Sequence, residues 1–433
     1  MERFDLISLT RRQWLGGAAA LGAAAAFPVP AWAQGAEPWA NLRRLMASYV
    51  DARKVCGMVA ALGYAQREPE AICSGTDSFT SARHCDIDSI YRIYSQTKPI
   101  TGMAAMILVD EGKLGLDQPL HEILPKFRTM QVQKVYDGPV TPDNLEPAVR
   151  PITIRQLLTH TSGLGYGIVQ SGPIVAAMRA VGAVPGQFSR LQALIPTLAG
   201  TPAASLELFA DGVASLPLVY QPGAKWSYSM GLDVMGRVIE VVSGQPFDSF
   251  LQERFFAPLG MRDTGFQVSR EKADRLTASY AVSQGRLLPI DLGPNSIYLE
   301  KPAFPFGGAG LATTPRDYDK FLTMLAGYGE FNGVRVMSEQ AVRLGASNLL
   351  PDTLRPDGQY DAGWGFGAGG RVGLGENAGI YGWAGAAGTF GFVDIPKRLR
   401  AGLYTQYLPV TAYPLSEEFS AAARADFAAL ARR

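Results

Sequence analysis

The chain has 433 residues, 47% hydrophobic and 18% charged, with 40 Lys and Arg against 39 Asp and Glu. Such a composition describes a folded globular protein and excludes disorder as its dominant state. The charges nearly cancel and no basic run is present to neutralise a row of phosphates, so nucleic acid is not expected as a partner.

The first 33 residues read as an export signal. Thr10-Arg11-Arg12-Gln13-Trp14-Leu15 precedes a Gly/Ala-rich apolar stretch from Leu15 to Phe27, and Ala31-Trp32-Ala33 follows. A helix crossing ~30 Å of hydrocarbon needs about 20 residues, and this run is much shorter, which favours cleavage after Ala33 over retention as an anchor. The pattern resembles a twin-arginine signal peptide, whose route carries folded proteins, so a periplasmic or secreted location is expected. No later segment has an apolar run long enough to span a bilayer, and no membrane contact is expected once the signal is removed.

An amphipathic helix is expected over 39–52. Two short apolar runs, 56–64 and 70–75, flank Ala65-Gln66-Arg67-Glu68-Pro69 and predict a hairpin. From Ser95 the spacing changes: Ile100, Met103, Ala104, Ile107 and Leu108 recur at helical intervals, and Gly112 supplies a stop. Between 125 and 299 the pattern is mainly of helical pieces broken by Pro and Gly, at 154–158, 168–180, 206–216 and 232–242. Beyond 300, strands are expected at 388–394 and 400–407 and a terminal helix at 416–432.

The strands at both ends predict an α+β fold. In it, a mostly antiparallel sheet is flanked by N- and C-terminal helices, with an α-rich lobe inserted in the chain. The sheet domain would comprise 34–124 and 300–433, the α-rich lobe 125–299, and the cleft between them is the default site.

Ser95-Gln96-Thr97-Lys98 starts the helix after 95, and its i, i+3 spacing puts hydroxyl and amine on one face of the first turn. A serine hydroxyl is a weak nucleophile at its own pKa, and a partly desolvated lysine can accept its proton. The helix N-terminus adds N–H groups aimed at developing negative charge. Ser269-Arg270-Glu271-Lys272 has the same spacing but sits in a charged segment without an apolar strand before it or a core helix after it.

Three histidines and three cysteines form no Cys-x-x-Cys or His-Glu-x-x-His, so no metal site is expected. Spacing does not choose between one disulfide with a spare thiol and three reduced thiols. Without Gly-x-Ser-x-Gly there is no nucleophile elbow. Gly365-Phe366-Gly367-Ala368-Gly369-Gly370 matches a dinucleotide pattern but leads into no helix, and no phosphate loop exists, so no cofactor is implied.

Ser-x-x-Lys-Pro, with the segment to Leu120, is followed in order by further matching stretches. These are Thr153-Ile154-Arg155-Gln156-Leu157-Leu158-Thr159-His160-Thr161-Ser162-Gly163-Leu164, Pro222-Gly223-Ala224-Lys225-Trp226-Ser227-Tyr228-Ser229 and Gly307-Gly308-Ala309-Gly310-Leu311. Over about residues 40–410 the chain resembles the serine β-lactamase and penicillin-binding-protein superfamily, in its class C-like branch, which implies a β-lactamase/transpeptidase-like fold. The resemblance makes Tyr228 the second proton-handling group beside Lys98, with Ser95 the nucleophile. Met230 stands where β-lactamases carry Asn. Trp383-Ala384-Gly385-Ala386 stands where they carry Lys-Thr-Gly, and the lost lysine weakens the case for an anionic substrate.

Family VIII carboxylesterases share this Trp-x-Gly and Tyr-Ser combination and are the nearest resemblance. By analogy the N–H groups of Ser95 and Ala386 form the oxyanion hole, and Trp383 and Gly385 contact substrate. Tyr166 is expected to line the same cleft, and His160 to be a structural residue near a Gly163 helix stop. The expected activity is hydrolysis of small short-chain esters through an acyl-enzyme on Ser95. The alternatives are a β-lactamase, a D-amino-acid peptidase or an acyltransferase with the same residues, and, in another class, a non-catalytic acyl-group or penicillin receptor.

Overall fold

The computed structural model describes residues 38–192, 198–351, 354 and 363–431; the expected export signal lies outside the described residues. Seven strands form the main sheet: β1 (Gly57–Tyr64), β2 (Glu70–Gly75), β3 (Trp364–Phe366), β4 (Arg371–Gly373), β5 (Ile380–Gly385), β6 (Thr389–Asp394) and β7 (Leu399–Tyr404). Their order is β3-β4-β5-β6-β7-β1-β2, and every neighbouring pair is antiparallel. The predicted hairpin is β1–β2, with Leu62 opposite Glu70 and Gly57 opposite Gly75. β1 pairs with β7, so strands from the two ends of the sequence close one α+β sheet.

Both faces of this sheet are covered. Alternate residues Met58, Ala60 and Leu62 of β1 and Leu399, Ala401 and Leu403 of β7 face one core. There they pack with Leu42 and Met46 of α1 (Ala40–Asp51) and Phe419 and Ala423 of the terminal helix 415–431. Val59, Val393 and Tyr404 point the other way, into a larger core with α2 (Lys98–Asp110) and the helix Pro315–Ala326. The alternation of β6 and β7 in sequence does not mark a solvent face: both strands are buried along their whole length because the sheet is covered on both sides.

The helices of the middle segment that matter below are α3 (Ile154–Leu158), α4 (Ile174–Ala180), α5 (Leu206–Ala214) and α6 (Gly231–Ser243); Pro315–Ala326 is α7 and Leu415–Ala431 is α8. Several expectations need correction. The helix expected over 168–180 begins only at Ile174, because Gly172-Pro173 interrupts the backbone donors before it. The strand expected over 400–407 stops at Tyr404, and Tyr407–Leu408 joins a second, three-stranded sheet with Ser279–Ser283 and Arg286–Asp291. That sheet lies partly within a stretch expected to be helical. Its turn, Gln284-Gly285, has both φ values positive, as a two-residue hairpin requires, and that dipeptide was the available signal.

Candidate active site

Ser95 does not open the α-helix itself. It lies in a 3-10 turn, Tyr94–Thr97, that feeds α2, whose first residue is Lys98 with Pro99 behind it. Only Tyr91 and Arg92 of the preceding apolar run are paired as a strand, against Thr313 and Ala312. Tyr94 adopts a left-handed φ of 41°, a sharp entry that a non-glycine residue keeps only when its surroundings enforce it. Those surroundings are the Ile93 N–H bonded to Leu311 O and the Thr97 hydroxyl accepting from Leu311 N–H.

The turn brings Lys98 Nζ within 3.3 Å of Ser95 Oγ. Lys98 is fully buried, and Nζ also donates to Gly308 O at 2.7 Å. Tyr228, contributed by the segment before α6, donates its hydroxyl to Ser95 Oγ at 2.7 Å. Lys98 Nζ lies 4.5 Å from the centroid of the Tyr228 ring and 5.7 Å from that of Tyr166. The three residues singled out in the sequence therefore meet at one oxygen, although 133 positions separate Ser95 from Tyr228.

Trp383, on β5, is buried, and its indole N–H donates to Tyr228 Oη at 3.4 Å. Gly385 ends β5 against the Ser95 turn: a Cβ there would fall 2.2 Å from Ile93 O, so only glycine lets the strand approach. Ala386 follows at once, half-buried, in the turn that leads to β6. Tyr166 packs on Tyr228 with ring centroids 5.6 Å apart, and burial pushes its phenol well above the usual range. It also lines an apolar hollow with Ile168, Met178, Phe209, Met230 and Phe306.

His160 has no contact with Ser95 among those observed. Its Nδ1 accepts the Ser229 N–H at 3.2 Å and lies 2.9 Å from the Ser229 hydroxyl, which steadies the Tyr228-Ser229 peptide. Burial, and secondarily the nearby Lys98 charge, holds its pKa well below the usual histidine range, so the ring is neutral. The helix stop expected at Gly163 falls earlier: α3 ends at Leu158, and His160 itself takes the left-handed conformation.

Sequence reasoning missed part of the site. Trp226 and Phe366 complete an aromatic wall with His160, Tyr228 and Trp383, with centroid spacings of 4.6 to 6.3 Å. Asp233, in the first turn of α6, is fully buried, accepts the Gly308 N–H, and is pushed up to about 7 by burial against the opposing pull of Lys98. An acid in a first turn is ordinarily read as a partner for the helix dipole, which hid it. The three cysteines are unbridged; burial pushes Cys56 and Cys85 up to about 12 and Cys73 to about 11, so none is a ready thiolate. Among the described residues no group of acids, His and Cys is arranged to hold a metal ion.

A buried serine, lysine and tyrosine meeting between an antiparallel sheet and a helical layer define a serine-acylating class of protein. The Beta-lactamase family model matches residues 42–425, and the chain belongs to that family. Esterase EstB of Burkholderia gladioli is 31% identical over 407 residues, covering 86% of this chain and 90% of that protein. Protein Rv1367c of Mycobacterium tuberculosis is 39% identical over 266 residues, and the chain spans only 61% of that relative's length. The structure of EstCE1, described as a hydrolase with promiscuous acyltransferase activity, shares the fold. Its TM-score is 0.70 at 24% identity over 89% of this chain and 97% of that one.

Proposed function

We propose that the protein is a serine hydrolase that cleaves short-chain carboxylic esters through an acyl-enzyme on Ser95. The observation that carries this reading is the convergence of Tyr228 Oη at 2.7 Å and Lys98 Nζ at 3.3 Å on Ser95 Oγ. As Oγ bonds to the ester carbonyl carbon, its proton passes to the Tyr228 and Lys98 pair. The carbonyl electron pair becomes an oxyanion facing the N–H groups of Ser95 and Ala386, each such donor worth roughly 10²- to 10³-fold in rate. Collapse breaks the ester C–O bond, and the alcohol leaves with that proton. Water, giving a proton to the same pair, then attacks the acyl carbon; the acyl C–Oγ bond breaks, Oγ takes that proton back, and the carboxylic acid leaves.

The neutral, apolar character of the substrate is supported by the buried Trp383, by the aromatic wall, and by Met230 lining the hollow beside Tyr166. The relationship to Esterase EstB over most of both chains supports ester cleavage. The test is intact-mass analysis during turnover of p-nitrophenyl esters from acetate to palmitate. An acyl adduct on Ser95, absent from Ser95→Ala, and rates that fall beyond about butyrate to hexanoate support the reading; adduct formation without turnover would replace it with an acyl-group receptor.

We also propose that Arg11-Arg12 directs export of the folded protein to the periplasm or beyond. Replacing both by Lys is expected to leave the protein inside the cell, and unchanged export would contradict this.

A further inference from the structure

The oxygen of Asp233 that does not hold Gly308 has no partner among the described residues, although it is fully buried. A lone buried carboxylate oxygen is costly, since its hydration is lost without replacement. What surrounds it is the underside of the Ser95 site. Oδ1 accepts the N–H of Gly308, and the carbonyl of that same residue accepts from Lys98 Nζ at 2.7 Å. Gly308 therefore bridges carboxyl and amine. A Cβ on Gly308 would lie 2.4 Å from Oδ1 and 2.6 Å from Oδ2, so the carboxyl packs flat on a residue that only glycine can supply. The preceding carbonyl, Gly307 O, is anchored by the Thr101 hydroxyl at 2.7 Å, one turn along α2 from Lys98.

We propose that Asp233 is a positioning residue for acylation of Ser95: it holds the Gly307-Gly308 strap that aims Lys98 at Oγ. This rests on the hydrolase reading above. Any acceptor at this place would hold the Gly308 N–H, and through it the carbonyl that Lys98 uses. The ionisable groups facing the carboxyl are Lys98 on α2 and Tyr166 on the loop after α3. The covering segment 306–309 contributes none.

The test is the rate of Ser95 labelling by a fluorophosphonate, which bonds phosphorus to Oγ and expels fluoride whatever ester the enzyme prefers. In Asp233→Ala, which removes the acceptor of the Gly308 N–H, the rate is expected to fall several-fold, and in Asp233→Asn, which keeps an acceptor there, to return to within about twofold of wild type. Thr101→Val, which loosens the same strap from the other carbonyl, is expected to lower the rate several-fold. An unchanged rate in Asp233→Ala, or a rate in Asp233→Asn as low as in Asp233→Ala, would overturn the proposal. So would loss of the fold in Asp233→Asn, because the carboxylate would then be a structural requirement. Failure of the wild-type protein to label at Ser95 would instead remove the hydrolase reading on which it rests.

Discussion

Tyr228 Oη makes two contacts at once: it donates to Ser95 Oγ and receives the Trp383 indole N–H. The indole thus helps hold the phenol in place, so Trp383, expected from the resemblance to contact substrate, also touches the residue that touches Ser95. Tyr228→Phe keeps the ring stack and loses only the hydroxyl. It is expected to lower kcat/KM by about 10²- to 10⁴-fold while thermal unfolding moves by no more than the ~1 kcal/mol of one hydrogen bond; steady-state kinetics beside calorimetry checks both.

Asp233 carries a pH signature of its own. Its folded pKa, about 7, is above the ordinary carboxyl value of 3.8, so the folded state binds a proton more tightly than the unfolded one. The stability this contributes is complete below about 4 and is lost as pH rises toward 7. Asp233→Asn is therefore expected to gain in Tm relative to wild type as pH rises from 4 to 7, with the difference levelling off above 7; a constant difference would contradict the assignment. Ser95 and Lys98 were legible because apolar periodicity surrounds their motif, and Tyr228 through the ordered family segments. Asp233 was not, because its significance comes from Gly308, 75 positions away.

At the scale of elements, the Ser95 turn is held from behind by a buried ion pair. Arg92, at the end of its two-residue strand, bonds Asp291 through Nε at 2.7 Å, Thr277 O at 2.6 Å and the Ser296 hydroxyl at 2.9 Å. Both partners are almost wholly buried. The pair ties the strand before the nucleophile to the small three-stranded sheet. Removing one member leaves an unpaired buried charge, so Arg92→Ala is expected to cost about 3–5 kcal/mol in denaturant unfolding; a cost under about 1 kcal/mol would show that the pair does not hold the strand before Ser95.

The elements with strong periodicity, α1, α2 and the β1–β2 hairpin, were readable to within about three residues, the start of α2 being displaced by the 3-10 turn at Tyr94–Thr97. The Gly-rich β3 and β4 were not. Gly365, Gly367, Gly369 and Gly370 give no alternation to follow, and β5 pairs with β4 and β4 with β3 only in the folded sheet.

For the whole molecule, closure of the sheet by its two ends is the organising event. Asp426 of α8 accepts the N–H groups of Asn41 and Leu42 at the start of α1, and Trp39 packs edge-on against Phe427 at 5.1 Å. The C-terminal helix thus caps the N-terminal one, across 384 positions. Asp426→Ala is expected to destabilise the fold by about 0.5–2 kcal/mol, the worth of a lost N-terminal cap, with unchanged ester kinetics at 25 °C. Strands at both ends of the sequence made this closure foreseeable, whereas the second sheet depends on contacts between 280 and 407 that no local pattern announces.

This β-lactamase-family site, with Trp383 where β-lactamases carry the lysine of Lys-Thr-Gly, is expected to turn over neutral esters on Ser95. Steady-state hydrolysis of p-nitrophenyl butyrate beside nitrocefin, with protein from Gln34 onward and its Ser95→Ala variant, decides it. Many turnovers of the butyrate ester, abolished in Ser95→Ala, with slow or no opening of nitrocefin, is the predicted result. Faster turnover of nitrocefin than of the ester, or ester hydrolysis that survives in Ser95→Ala, would contradict it.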